Sequence, residues 1–314
     1  MKILRLILGD QLNPKHSWFK NIDDEILYVL MEVKQETNYV LHHAQKILAI
    51  FAAMRDFKNT LAKHNHQVIY LKISEKSNQQ SFKANLKALF SQYNIQKFEY
   101  QEPDEYRLDQ DLIEFCSEIS MPSECFSSEH FFTHRLEVKE MFTDKKQWLM
   151  ESFYRYMRKK HHVLMSEDGK PVGSKWNFDH ENRKAWKGAP EVLEDHRLTH
   201  DHAKLWDEIT EAEIKSFGNH NASKFRWPLN RNEALKHLDF FIKNILIYFG
   251  DYQDAMHKEE TRMFHSLISF SLNTKMLSPK EVVSAVEKSY LSDKLPISTA
   301  EGFIRQIIGW REYI

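Results

Sequence analysis

The sequence predicts an N-terminal doubly wound α/β domain built on a parallel, Rossmann-like sheet, followed by an interdomain linker and a partial all-α C-terminal region. Three observations predict it. Short apolar runs alternate with amphipathic helical stretches up to about residue 130; a stretch holding Gly169, Pro171, Gly173, Gly188 and Pro190 follows; beyond it the strand signal vanishes. The expected boundaries are 1–135 for the α/β domain, 136–200 for a helix and linker, and 201–314 for the helical region.

In order, Ile3 to Leu8 is an apolar run ending in Gly9-Asp10-Gln11, the pattern of a buried strand feeding a turn. Ile26 to Val33, Val68 to Ile73 and Phe98 to Gln101 repeat that signal. Between them, His42 to His64 carries Ile47, Ile50, Phe51, Met54 and Leu61 at helical spacing, and a second helix spans about Phe82 to Tyr93. Strands alternating with helices require right-handed crossovers and a parallel sheet covered on both faces. Lys145 to Lys160 reads as a helix, and Trp176, Phe178 and Trp186 keep the linker at 164–192 from being a free tether. Asn232 to Phe249, Ser266 to Leu272, Pro279 to Tyr290 and Glu301 to Ile314 all read as α. In the last, Phe303, Ile304, Ile307, Ile308, Trp310 and Ile314 make an apolar face, with Ser298 and Thr299 as N-cap candidates. Such a face needs a partner, so the architecture is expected to continue past Ile314 and to leave an apolar patch of well over roughly 300–600 Å² around Phe303, Ile307 and Trp310.

The chain has 314 residues, enough for about two domains. No run of about 18 apolar residues occurs, and the N-terminus enters a strand directly, which predicts a cytoplasmic protein with neither membrane span nor cleaved signal. Cys116 and Cys125, the only cysteines, read as reduced core thiols and are too few for an iron-sulfur cluster, which takes about four. The net charge of −1 marks no particular partner, although Arg155, Arg158, Lys159 and Lys160 form a local basic cluster. Neither G-x-G-x-x-G nor G-x-x-x-x-G-K-[ST] is present, which excludes the common phosphate cradles. His196, His200 and His202 lack the spacing of a metal site. Glu102, Asp104 and Glu105 have no nucleophile beside them and read as solvated loop acids.

Six blocks in order carry a resemblance: L-I-L-G-D-Q-L at 6–12, Y-V-L-H-H at 39–43, F-Y-R-Y-M-R-K-K at 153–160, K-W-N-F-D-H-E-N-R at 175–183, H-S-L-I-S-F at 265–270 and W-R-E-Y at 310–313. Together they resemble the bacterial photolyase-related proteins, the iron-sulfur cryptochrome and prokaryotic (6-4) photolyase branch of the photolyase superfamily. The resemblance implies an antenna domain binding 6,7-dimethyl-8-ribityllumazine, a helical domain binding FAD, and light-dependent repair of pyrimidine (6-4) photoproducts in damaged DNA by electron transfer from reduced flavin. It further implies a monomer with no membrane partner. Two alternatives are a cryptochrome-like blue-light photoreceptor and a short, non-catalytic chromophore-binding module. Members of the family continue past W-R-E-Y into a region holding the four cluster cysteines, so the chain is expected to stop within the helical domain and to lack repair competence.

Residue by residue, the resemblance implies that Gly9, Asp10, Gln11, Glu36, Tyr39, Lys46 and Ile50 form the antenna pocket. It assigns His265, Ser266, Ser269, Trp310 and Arg311 to the flavin or lesion face. On the residues alone, Asp10 equally caps a turn, Glu36 and Lys46 are surface charges, Tyr39 and Ile50 are core, and Ser269 is an ordinary N-cap. Arg155, Arg158, Lys159 and Lys160 are candidate contacts to DNA phosphates, or else a solvated helix face.

Overall fold

The computed structural model describes residues 1–292 and 294–314. The chain divides into two compact units, each assembled from three stretches. Unit 1 comprises Met1–Glu129, Arg197–Ala234 and Asn273–Met276; unit 2 comprises His130–His196, Leu235–Leu272 and Leu277–Ile314. The contiguous boundaries expected from sequence therefore give way to interleaved ones: the linker packs in unit 2, while the segment after it packs in unit 1.

Unit 1 contains strands β1 (Ile3–Leu6) and β2 (Ile26–Met31), helix α1 (Lys34–Asn38), the two-residue β3 (His42–His43), helix α2 (Ala44–Lys63), β4 (Gln67–Leu71), α3 (Phe82–Tyr93), β5 (Lys97–Gln101), α4 (Tyr106–Glu118) and β6 (Ser123–Phe126). β1, β2, β4, β5 and β6 form one parallel sheet in the order β4-β2-β1-β5-β6, with Ile3 opposite Ile26 and Lys97. β2 is buried on both faces, which is why it reads as a continuous apolar run rather than an alternating one. Leu4, Leu6, Val29, Phe98 and Tyr100 share a core with Leu86, Phe90, Leu112 and Phe115 of α3 and α4. The edge strand β6 carries Glu124 and Cys125 in the open, so Cys125 is an exposed thiol and not the core residue the sequence suggested.

Unit 2 begins with α5 (Glu137–Met141) and α6 (Met150–His161). The second stretch of unit 1 then supplies α7 (Ala203–Glu211) and the short strand β7 (Ser216–Phe217), which pairs with β3, so strand pairing does recur beyond the linker. Arg55 joins α2 to α7 by donating to both oxygens of the fully buried Glu32 (2.7 and 3.0 Å) and to both of Glu208 (3.0 and 2.8 Å). The remaining helices are α8 (Arg231–Asn244), α9 (Leu246–Tyr252), α10 (Ser269–Asn273), α11 (Pro279–Leu291) and α12 (Ile297–Ile304), which runs into a π-helical segment over Arg305–Arg311. The single helix expected over 232–249 is thus two. α11 starts as its sequence dictates, with a reciprocal Ser278–Glu281 capping box and Pro279 in the first turn.

The closing helix differs from expectation. It begins after Pro296, four residues ahead of Glu301, so Ser298 and Thr299 lie inside it and cap nothing. Phe303, Ile304, Ile307 and Ile308 are buried, with Phe241 and Phe249 against Phe303 at 5.1 and 5.0 Å between ring centroids. Trp310 and Ile314 alone of the named face reach the surface. The expected uncovered patch around Phe303 and Ile307 is absent because unit 2 itself covers them. Among the described residues, no helix is long and apolar enough to cross a membrane.

Candidate functional site: a cavity at the sheet switch point

In a doubly wound sheet, adjacent strands whose connections leave in opposite directions open a crevice at their carboxyl ends. Here those strands are β1 and β5, and the crevice is a cavity of about 250 Å³ lined by Gly9 and Asp10 after β1, Glu36 and Tyr39 after β2, and Pro103, Asp104 and Glu105 after β5. Lys46, Ile50 and Met54 come from α2, and Val33 and Phe82 extend the apolar wall. The volume lies just under the roughly 300–1,000 Å³ of ordinary ligand pockets. Six of the seven residues that resemblance grouped, Gly9, Asp10, Glu36, Tyr39, Lys46 and Ile50, line this one cavity.

Gln11 does not line it. Its side chain is buried behind the turn, accepts from the Leu8 amide (3.0 Å) and donates to the carbonyls of Gln101 and Glu102 (both 3.2 Å). Gln11 therefore holds the ends of β1 and β5 at a fixed separation and shapes the cavity without facing it. Gly9 is required by space: a Cβ there would lie 2.8 Å from Ile50 Cγ2 and 3.1 Å from Met54 Sδ.

The polar rim is organised by cations. Arg107 donates to both Glu36 oxygens (2.9 and 3.1 Å), pairs with Glu105 (2.8 Å), and lays its guanidinium 4.1 Å over the Tyr39 ring. Burial pushes the Glu36 carboxyl above the ordinary range, against the pull of Arg107. Burial, with Glu105 and Glu36 nearby, also raises Tyr39, which keeps its phenol proton at neutral pH. Lys46 donates to His42 Nδ1 (3.3 Å), whose Nε2 donates to the Glu36 carbonyl (3.1 Å). Burial and then Lys46 lower the His42 pKa, so the ring is neutral and its tautomer is set by these two bonds. Asp104 and Glu105 are thus not merely solvated loop acids: Asp104 meets the buried Lys275 at 2.8 Å and Glu105 meets Arg107. Sequence reading missed Arg107 and Lys275 as site residues because the cavity residues they organise, Glu36 and Asp104, lie 71 and 171 residues from them.

An apolar wall facing a rim of carboxylates, a phenol and an ammonium suits a flat heteroaromatic ligand with hydroxyl-bearing substituents.

The other predicted residues are dispersed in unit 2. His265 and Ser269 are exposed, and Ser266 uses its carbonyl to accept from His237 Nε2 (2.8 Å). Trp310 is 43% exposed. Arg311 donates to His130 Nε2 (2.9 Å) and stacks its guanidinium 5.0 Å over Phe131. Of the basic cluster on α6, Arg158 is fully buried and donates to the carbonyls of Val163, Leu164 and Trp176 at 3.2, 2.6 and 3.4 Å, so it is no phosphate contact. Arg155 and Lys159 are exposed beside Trp176, and Lys160 pairs with Glu137. His196 stacks on Phe240 in unit 2, while His200 bonds Glu233 (3.0 Å) and stacks with His202 in unit 1.

Comparison with known proteins agrees with this architecture. The family model for deoxyribodipyrimidine photo-lyase-related proteins matches residues 5–227. A (6-4) photolyase of Agrobacterium fabrum is 34% identical over 317 aligned residues, covering all of this chain and 62% of that protein. A bacterial class III photolyase of Agrobacterium tumefaciens superposes on 99% of this chain and 57% of its own, with a TM-score of 0.56 and 14% identity. A Synechocystis cryptochrome does so over 99% and 60%, with a TM-score of 0.56 and 11% identity. The two structures share the fold, and the chain spans about three-fifths of the length of these relatives. By the extent of the family match, which spans more than half of the chain, it belongs to the deoxyribodipyrimidine photo-lyase-related protein family.

Proposed function

We propose that this chain serves light-dependent repair of pyrimidine (6-4) photoproducts in DNA, with 6,7-dimethyl-8-ribityllumazine in the unit 1 cavity and FAD as the redox cofactor. Unit 1 is the antenna domain in this reading, unit 2 contributes helices of the FAD-binding domain, and the protein works as a cytoplasmic monomer. The observation that carries the proposal is the convergence of Gly9, Asp10, Glu36, Tyr39, Lys46 and Ile50 on one cavity at the switch point.

The cavity's own residues fit a lumazine. Ile50, Met54 and Phe82 exclude water from the ring faces, and Gly9 lets the first turn approach closely. The Asp10 and Glu36 carboxyls would serve as acceptors for ring N–H or ribityl O–H groups, and Tyr39 and Lys46 as donors to ring oxygens. A lumazine bound there would absorb blue light for transfer to flavin. For FAD, His265, Ser266, Ser269, Trp310 and Arg311 offer hydroxyls, a cation and an indole, but His265, Ser269 and Trp310 are exposed, Ser266 and Arg311 are half-buried, and Arg311 is already engaged by His130. These residues do not enclose an isoalloxazine, and no repair step is assigned to them. Cys116 and Cys125 likewise cannot supply the about four thiolates of an iron-sulfur cluster. Arg155 and Lys159 remain as exposed contacts for DNA phosphates.

Two measurements test the proposal. Protein mixed with the lumazine should retain it through gel filtration, with a shifted absorption band. With reduced FAD and blue light, the protein in its full-length form should deplete (6-4) photoproducts in irradiated DNA. Loss of the lumazine on the column overturns the antenna assignment, and undiminished lesions overturn the repair assignment.

A further inference from the structure

Lys275 is one of the largest fully buried side chains of the molecule, with no exposed surface. It belongs to Asn273–Met276, the four-residue stretch through which the chain rejoins unit 1. That stretch is fastened to the first turn of the sheet, where the Leu12 amide donates to the Thr274 carbonyl at 2.9 Å. The backbone at Lys275 is left-handed, with φ +61°, a conformation that costs a non-glycine residue on the order of 1 kcal/mol and persists only where its surroundings impose it. What this conformation achieves is direction. The ammonium donates to the Asp10 carbonyl at 3.1 Å and to Asp104 Oδ2 at 2.8 Å, and it lies 3.5 Å from Asp10 Oδ2.

Asp10 and Asp104 both line the cavity. They come from the two strand ends that flank the switch point, and without a cation two like charges would repel across it. A buried ammonium is costly unless paired and hydrogen-bonded, so Lys275 is explained by these two acids and by the Asp10 carbonyl. Each acid keeps about a third of its side chain exposed, 35% for Asp10 and 30% for Asp104, while the ammonium itself is buried.

We propose that Lys275 is a positioning residue for the cavity's ligand. It sets Asp10 and Asp104 side by side as oriented acceptors and so selects a flat, uncharged ligand rich in N–H and O–H donors. This rests on the proposed chromophore and extends it: removing the ammonium disorders the acceptor pair while leaving the apolar wall intact.

The test is fluorescence titration of the full chain with 6,7-dimethyl-8-ribityllumazine, comparing wild type, Lys275→Met and Asp104→Asn, with the absorption band of the bound ligand recorded in each. Both variants should bind roughly tenfold more weakly, the scale of one charge-assisted hydrogen bond, and the band should move because the polar groups at the ring edge have moved. Folded Lys275→Met with affinity within about twofold of wild type and an unmoved band overturns the role of Lys275. If Lys275→Met does not fold, Asp104→Asn decides, since Asp104 is partly solvated at the cavity: unchanged affinity and band there overturn the proposal equally. Wild type that takes up no lumazine overturns the chromophore assignment itself, a separate outcome from a wild type that binds alongside indifferent variants.

Discussion

Gly9 shows how much one missing methyl group decides. Its Cβ would press on Ile50, whose branched side chain has little rotamer freedom, and the cheapest relief is a shift of Ile50 into the cavity. Gly9→Ala should therefore cost about 1–3 kcal/mol of stability as overpacking and weaken ligand binding in the same variant; urea unfolding and fluorescence titration check the two effects. The residues around it were legible in sequence to different degrees. Gly9 and Asp10 follow an apolar run directly, so the strand-end rule finds them. Gln11 follows the same rule and yet turns away from the cavity, because its amide is taken by Leu8, Gln101 and Glu102. Nothing in linear order distinguishes a residue that lines a site from one that braces it.

Among elements, α6 and the connector after it give the sharpest contrast. Four basic residues within six positions read as one charged face, but a helix has more than one face, and Arg158 falls on the buried one with Tyr154 and Met157. There it closes the turn at 163–164 and holds the backbone of Trp176. Arg158→Met should strand those carbonyls and cost about 2–5 kcal/mol, whereas Arg155→Ala should stay within about 0.5 kcal/mol. Chemical denaturation of the two variants separates a structural arginine from a surface one. The closing helix teaches the same lesson: its apolar face was visible in sequence, but Phe241 and Phe249, which cover it, lie more than fifty residues earlier. Periodicity reports that a face must be buried and says nothing about what buries it.

Over the whole molecule, buried histidines contribute to the response to acid. His16, His42, His66, His161, His202 and His220 all have lowered pKa values, with desolvation the leading cause in each. His16 is the clearest: its Nδ1 accepts from the Trp18 amide (3.2 Å) and its Nε2 donates to the Ser127 carbonyl (3.0 Å), so the fold holds the neutral ring. Because the folded value lies below the unfolded 6.5, the unfolded chain binds the proton more readily between the two. Stability from this group is complete above pH 6.5 and is lost as pH falls through the folded value. Urea unfolding at pH 7.5 and 5.5 should show a smaller acid loss in His16→Asn than in wild type. The sheet, its helices and the switch-point crevice were legible at this scale because alternation and crossover handedness leave few topologies. The interleaving of the two units was not, since it depends on pairs such as Arg55 with Glu208.

The late arrival of Lys275 has a consequence for how the protein is made. Asp104 leaves the ribosome 171 residues before the lysine that completes its site, an interval of roughly 9–34 s at about 5–20 residues per second. During that time the nascent sheet carries two facing carboxylates with no ammonium between them. The completed cavity rim is therefore an event of late synthesis, and any codon-level pause before residue 275 would lengthen the period in which the first domain exists without it.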